Sequence, residues 1–128
     1  MPTFSTTSEK KLKTTHAVLQ KLMNQVIKEI DITILCGQRT KAEQDAAFAS
    51  GNSKLKWPMS KHNSNPSMAV DIAPWPIDWQ NIDRFKKCAE IVKEVWDKLP
   101  DIDKDGYKLS WGGDWKSFRD YPHWEISK

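Results

Sequence analysis

The chain has 128 residues, 38% hydrophobic and 29% charged, with seven tryptophans, a balance that fits one globular domain and excludes intrinsic disorder. Its net charge of +3 is too small to argue for nucleic acid, and it has no run of about 18 apolar residues to span a membrane. The polar N-terminus lacks the apolar core of a secretory signal, so synthesis in a cytoplasm without export by that route is expected.

Ser8 to Ile30 reads as one amphipathic helix. Leu12, Val18, Leu19, Leu22, Met23, Val26 and Ile27 recur at three- and four-residue steps, with lysines between them. Those lysines are a solvated face rather than a phosphate-binding stripe. His16 falls within this helix as an ordinary boundary residue. Ile32 to Cys36 alternates like a short strand and Gly37 breaks it. A second helix starts at Thr40, where Thr40 and Glu43 spell a capping box, and Gly51 closes it. Residues 51–65 are polar and irregular. Met68 to Ala73 is a second strand, ended by Pro74-Trp75-Pro76. Asn81 to Leu99 is the third helix, with Phe85, Ala89, Val92, Trp96 and Leu99 as its buried stripe and Pro100 as its stop. Asp101 to Gly106 is a turn, and Tyr107–Trp111 and His123–Ile126 are two more strands. The order predicts an α+β fold with helices packed on a small antiparallel or mixed sheet. Cys36 and Cys88, neither in a Cys-x-x-Cys pair, are expected reduced and buried.

Two of the three histidines have chemical company. His62 is followed nine residues later by Asp71, in Ala69-Val70-Asp71-Ile72-Ala73. Strand alternation puts Val70 and Ile72 on one face and Asp71 on the other, between two alanines. A carboxylate on such a small-residue floor needs a cation or a hydrogen-bond network. His123 stands in Asp120-Tyr121-Pro122-His123-Trp124-Glu125. Two imidazoles and one carboxylate are a plausible zinc triad that leaves a fourth position open for water. A further carboxylate must then take a proton from that water. Asp120 is the first candidate and Glu125, on the His123 face of its strand, the second.

These segments resemble the zinc peptidoglycan peptidases, the superfamily of D-Ala-D-Ala dipeptidases and carboxypeptidases and of phage L-alanyl-D-glutamate endolysins. The resemblance rests on Ser60-Lys61-His62 (S-x-H), Ala69-Val70-Asp71 (A-x-D), Asp120 to His123 ([DE]-x-x-H) and Gly37-Gln38-Arg39-Thr40 with Gln44, in that family's order. It implies a small antiparallel sheet with packed helices, of the Hedgehog/DD-peptidase type. It implies that His62, Asp71 and His123 ligate zinc. Asp120 would be the general base that activates water and then protonates the leaving amine. Arg39 would polarise the scissile carbonyl or hold the oxyanion. Gln44 would support that site, and Ser60 would hold the loop rather than act as nucleophile. The sequence departs from the family at one point. The His-to-Asp spacing is nine rather than seven and lacks the intervening glycine, which implies a two-residue loop extension beside the metal.

Other residues carry two readings each. Trp96 and Trp124 read as core. Trp111 and Trp115 either pack around Gly112-Gly113-Asp114 or line a cleft beside the metal. Trp57, Trp75 and Trp79 sit in loops, where they pack or grip a ligand. Asp101, Asp103 and Asp105, followed by Gly106, copy the first half of a calcium loop, but Gly112 stands where the closing glutamate belongs. The segment is a weak calcium site or a charged turn.

The resemblance thus implies one zinc peptidase catalytic domain over residues 1–128, without a separate cell-wall-binding domain. The implied enzyme is a phage endolysin that hydrolyses an amide bond of peptidoglycan stem peptides, with L-Ala–D-Glu favoured. It would be a monomer without nucleic-acid or membrane partners, made in the host cytoplasm and admitted to the wall by a holin. The rivals are a D-Ala-D-Ala carboxypeptidase of wall maturation and a non-catalytic wall-binding module; the second predicts loss of the base, and Asp120 is present.

Overall fold

The computed structural model describes residues 2–117 and 119–128, and it opens with two helices where the periodicity predicts one. Helix α1 spans Thr6–Leu12 and α2 spans Ala17–Glu29. The break has a local and a tertiary cause. The hydroxyls of Thr14 and Thr15 donate back to the carbonyls of Lys11 and Leu12, both at 2.6 Å, which competes with continuing the helix. The freed backbone then pairs with a distant segment, since the His16 N–H donates to the Ser67 carbonyl and the Ser67 N–H to that of Thr14. His16 is therefore a cap, not a mid-helix residue: its Nδ1 accepts from the Val18 N–H.

The remaining elements are β1 (Ile32–Cys36), α3 (Lys41–Ala49), β2 (Ala69–Pro74), α4 (Ile82–Lys98), α5 (Asp101–Lys104), β3 (Lys108–Trp111) and β4 (His123–Ser127). Single 3₁₀ turns cover Lys61–Asn63 and Gly112–Asp114. Among the described residues, the sheet is fully antiparallel in the order β1-β2-β4-β3, so the α+β expectation holds and its antiparallel form is the one adopted.

Both predicted caps of α3 are in place. The Thr40 hydroxyl accepts from the Glu43 N–H, the Glu43 carboxylate accepts from the Thr40 N–H, and Gly51 follows the Ser50 C-cap. The backbone hydrogen bond from Thr40, and then its hydroxyl, hold the Glu43 carboxyl below its ordinary 4.5. A carboxyl depressed in the folded state stabilises above that value and loses its contribution as pH falls through the lowered one. Glu43→Ala is therefore expected to lower the denaturant midpoint at neutral pH, with the gap to wild type closing below about pH 4.

One face of the sheet builds the core. Ile32 and Ile34, Val70 and Ile72, and Trp124 and Ile126 join Leu19, Leu22, Met23 and Val26 of α2 and Cys88, Ala89 and Val92 of α4 in one buried cluster. Trp111 stacks on Trp124 at 5.8 Å and is core, whereas Trp96 is only partly buried against it. Trp75 and Trp79 are exposed, the latter stacked on Phe85. Cys36 and Cys88 are both free thiols; Cys88 is buried as expected, and Cys36 only partly.

The calcium reading of Asp101, Asp103 and Asp105 is not supported. Asp101 to Lys104 winds into a helical turn, and residues two apart on a helix point about 200° apart around the axis rather than into one cage. Asp103 pairs instead with Lys21 of α2 at 3.3 Å. Among the described residues, no helix is long and apolar enough to cross a membrane.

Candidate active site

The two central strands place the chemistry. β2 and β4 pair so that Asp71 lies directly opposite His123, and alternation brings Glu125 to the same face. That face is the reverse of the one carrying Val70, Ile72, Trp124 and Ile126. A register shift between Ile34 and Cys36 in β1 sets Cys36 opposite Asp71. Such bulges re-aim side chains near sites. Gly37 follows, pressed so closely against Lys11 and Thr14 that a Cβ there would collide with both.

His62 comes to this face from a loop. Ser60 caps the 3₁₀ turn by accepting from the His62 N–H at 3.2 Å. Asn63 accepts from the Ser60 N–H and donates to the Gln44 carbonyl oxygen at 3.1 Å. Ser64 to Pro66 are exposed, so the longer His-to-Asp spacing is taken up in a surface loop.

His62, Asp71 and His123 converge. Nε2 of His62, Nδ1 of His123 and Oδ1 of Asp71 lie 3.1 to 3.2 Å from one another. The outer nitrogen of each ring is committed. Nδ1 of His62 faces the Gly37 carbonyl at 2.7 Å, and Nε2 of His123 faces the Glu125 carboxylate at 2.8 Å. Both partners only accept, so both outer nitrogens carry the proton. In the neutral rings the inner nitrogens then aim lone pairs at each other and at a carboxylate, which only a proton or a cation can reconcile. Burial alone would lower both imidazoles, but bonding to Asp71 overrides it, raising His62 to about 10 and His123 above its usual value. For Asp71, burial would raise the carboxyl, and the bonds from His123 and His62 hold it well below the carboxylate range.

These donors fit a tetrahedral cation. Bonds of about 2.0–2.1 Å put the ligand atoms of such an ion about 3.3 Å apart, close to the spacing found. Cys36, His62 and Asp71 also lie near enough to share an ion, as do Asp71, Asp120 and His123. Cys36, however, meets His62 through Nδ1, at 3.8 Å, the nitrogen already committed to Gly37. Asp101, Asp103 and Asp105 are in neither group.

Asp120 stands beside the triad, its carboxylate 4.0 Å from Nδ1 of His123 and partly open to solvent. Its backbone is fixed by Gly112: the Asp120 N–H donates to the Gly112 carbonyl, and a Cβ on Gly112 would collide with the Asp120 carbonyl. Burial raises its carboxyl, and the charge of Asp71 adds to the rise. Opposite, Arg39 reaches Asp71 at 3.8 Å and donates to Gln44 at 2.8 Å. Gln44 is 0% exposed.

A cleft of about 400 Å³ opens over these groups, lined by Arg39, His62, Asp120, His123 and Trp115 among others. Trp115 therefore lines the cleft, its ring 5.1 Å from that of His123. A larger groove of about 570 Å³ runs along β3 but contains no histidine, so size alone does not mark the site.

Sequence reasoning missed Asn63, the Gly37 carbonyl and Ser67, whose hydroxyl donates to the Gly37 and Ala69 carbonyls. Glu125, the second base candidate, lies on the face that alternation gives it, with its carboxylate 2.8 Å from Nε2 of His123. A carboxylate behind a metal-binding histidine typically contributes 10- to 100-fold to affinity. If His123 holds a metal, Glu125→Gln is therefore expected to weaken its binding by about that factor, read by competition with a chromogenic chelator.

With this geometry in view, a model of the phage L-alanyl-D-glutamate peptidase family matches residues 2–128. The chain belongs to that family. It is 34% identical over 131 residues to the L-alanyl-D-glutamate peptidase of Escherichia phage T5, covering 98% of this chain and 89% of that protein. It is also 34% identical over 107 residues to the peptidoglycan L-alanyl-D-glutamate endopeptidase CwlK of Bacillus subtilis, covering 77% of this chain and 62% of that one. The crystal structure of Serratia marcescens L-Ala D-Glu endopeptidase ChiX superimposes with a TM-score of 0.76 at 24% identity, over 98% of this chain and 90% of that chain, and carries the fold alone. Membership makes the chain one of a family of peptidoglycan peptidases, as the sequence implied.

Proposed function

We propose that the chain is a zinc-dependent endopeptidase that cuts the L-Ala–D-Glu amide of peptidoglycan stem peptides, with residues 1–128 acting as one catalytic domain. The observation that carries this is the meeting of three lone-pair donors, 3.1 to 3.2 Å apart, under a cleft walled by Asp120 and Arg39. His62, Asp71 and His123 would hold the ion. A zinc ion there supplies Lewis acidity, which acidifies water and polarises a carbonyl.

The chain's own residues do the rest. Asp120 takes the proton from the attacking water and hands it to the leaving nitrogen of D-Glu, as its place at the cleft wall allows. The guanidinium of Arg39 donates to the carbonyl oxygen of L-Ala as negative charge grows on it. Gln44 keeps that guanidinium aimed by accepting from Nη1. Glu125 keeps the proton of His123 on the outer nitrogen, and the Gly37 carbonyl does the same for His62. Family membership supports a lytic role for a phage. In that role the enzyme is made in the host cytoplasm, works as a monomer and meets the wall once a holin opens the membrane.

The test is digestion of purified peptidoglycan by zinc-loaded enzyme, with products read by mass spectrometry. Stem peptides with a free N-terminal D-Glu are expected. Release of single D-Ala residues would replace this reading with a carboxypeptidase, and an inert zinc-loaded enzyme would leave only a binding module.

A further inference from the structure

The groove along β3 has no part in the mechanism above, yet it joins the cleft. Trp115 belongs to the walls of both, with its ring 5.1 Å from that of His123. The sheet carries the same connection. Ser110 of β3 pairs with Glu125 of β4, and Lys108 with Ser127. Opposed residues of an antiparallel pair project to one face, so Ser110 and Lys108 extend the catalytic face beyond Glu125 to the sheet edge. Both are exposed.

The groove, of about 570 Å³, is built from two elements held together. Lys93 of α4 reaches Asp114 of the 3₁₀ turn at 2.8 Å, which ties the helix wall to the turn that leads into Trp115. The same ammonium lies 5.2 Å from the centre of the Trp111 ring, and that of Lys104 lies 5.5 Å from the centre of Trp96. These contacts hold the rings in place. Trp96 and Trp115 are half-buried and line the groove with Tyr107 and Trp111.

The lining selects a kind of ligand. Its charged groups are Lys93, Lys108, Asp97 and Asp114, two cations against two carboxylates, a balance that suits an uncharged occupant. Aromatic walls with polar groups among them match a molecule with an apolar face and a polar edge. A pyranose ring has that form, with C–H bonds on its face and hydroxyls around its rim. Peptidoglycan brings such a ring to this place. One residue, L-Ala, separates the scissile carbonyl from the lactyl group of the sugar, and one residue spans at most about 3.6 Å. The first sugar therefore begins beside the cleft, as the groove does at Trp115. Its lactyl carboxyl is consumed in the amide to L-Ala, so the glycan there is uncharged.

We propose that the groove along β3 is a glycan subsite that takes the N-acetylated amino sugars bearing the stem peptide. This rests on the L-Ala–D-Glu reading above and adds the sugar to what the enzyme recognises.

The test has two parts. The first needs neither zinc nor cleavage: soluble chitin oligosaccharides are titrated by calorimetry into wild type, Trp96→Leu and Ser110→Tyr. Saturable binding by wild type is expected. Trp96→Leu should weaken it about fivefold, the scale of one lost aromatic contact, and Ser110→Tyr, which fills the groove, at least as far. The second part compares a synthetic stem peptide with the same peptide on its disaccharide, using zinc-loaded enzyme. Wild type is expected to favour the glycosylated substrate by about tenfold in kcat/KM, mainly through KM. Both variants should lose that preference and cut the free peptide within about twofold of wild type. Trp96→Leu keeps an apolar helix former on α4, and Ser110→Tyr puts a strand-favouring residue at an exposed position, so both are expected to fold, as melting will check. Oligosaccharide that binds both variants as well as wild type, or equal cutting of the two substrates by wild type, would overturn the subsite and leave the peptidase reading standing. If neither substrate is cut, the L-Ala–D-Glu reading falls, and the titration alone decides the groove.

Discussion

Asp120→Ala is expected to lower kcat on stem peptides by about a thousandfold, the middle of the range for a general acid–base group, while zinc content matches wild type. The two halves of that expectation come from geometry. The carboxylate is close to the donor triad yet outside it, 4.0 Å from Nδ1 of His123 where the triad atoms lie 3.1 to 3.2 Å apart. Its removal should therefore spare the ion. It lines the cleft wall, where burial and the charge of Asp71 raise its carboxyl and make it a stronger base than a surface aspartate. The Gly112 bond that places it is to the backbone N–H, so the substitution leaves the turn intact. Asp120→Asn keeps the shape and abolishes the base, and it should fall as far. If both variants retained activity while Glu125→Gln lost it, the proton transfer would belong to Glu125. Its 2.8 Å bond to His123 argues against that.

Much of this site was legible because it obeys short-range rules. Alternation in Ala69-Val70-Asp71-Ile72-Ala73 puts the carboxylate on the face opposite the core, and the capping box at Thr40 fixes where α3 begins. What escaped depends on contacts far apart in sequence. The split of α1 from α2 needs Ser67 to pair with Thr14 and His16, about fifty residues away, and periodicity cannot register that. The Gly37 carbonyl that sets the His62 tautomer has no side chain to notice, and Asn63 reads as one more polar loop residue until it is seen bridging Ser60 and Gln44. The aspartates at 101, 103 and 105 show the reverse failure. Their spacing matches a calcium loop, but a loop must stay open to gather ligands, and here the chain winds into a helical turn behind Pro100. Trp115 was ambiguous in sequence because an aromatic beside two glycines serves packing and cleft equally well; only its contact with His123 decides.

Removing the metal is expected to abolish cleavage and to lower Tm by about 10 °C, with zinc restoring both. The stability effect follows from the donors themselves. Without an ion, two imidazole nitrogens and a carboxylate oxygen crowd one point inside the protein, and protons must be held there to relieve them. An ion that binds the folded chain and not the unfolded one stabilises by about 2.7 kcal/mol at a hundred times its dissociation constant. For a domain of this length that is about 10 °C in Tm. His62→Ala should lose both the activity and the zinc-dependent shift, because it removes one of three protein donors and leaves Asp71 with a single imidazole. A melting temperature of wild type that ignores both chelator and zinc would break the assignment of His62, Asp71 and His123 as the metal site. It would do so independently of any assay on peptidoglycan. The comparison thus separates two failures: an intact zinc shift with no cleavage leaves the metal site and removes the substrate, whereas cleavage that survives chelation leaves the substrate and removes the metal.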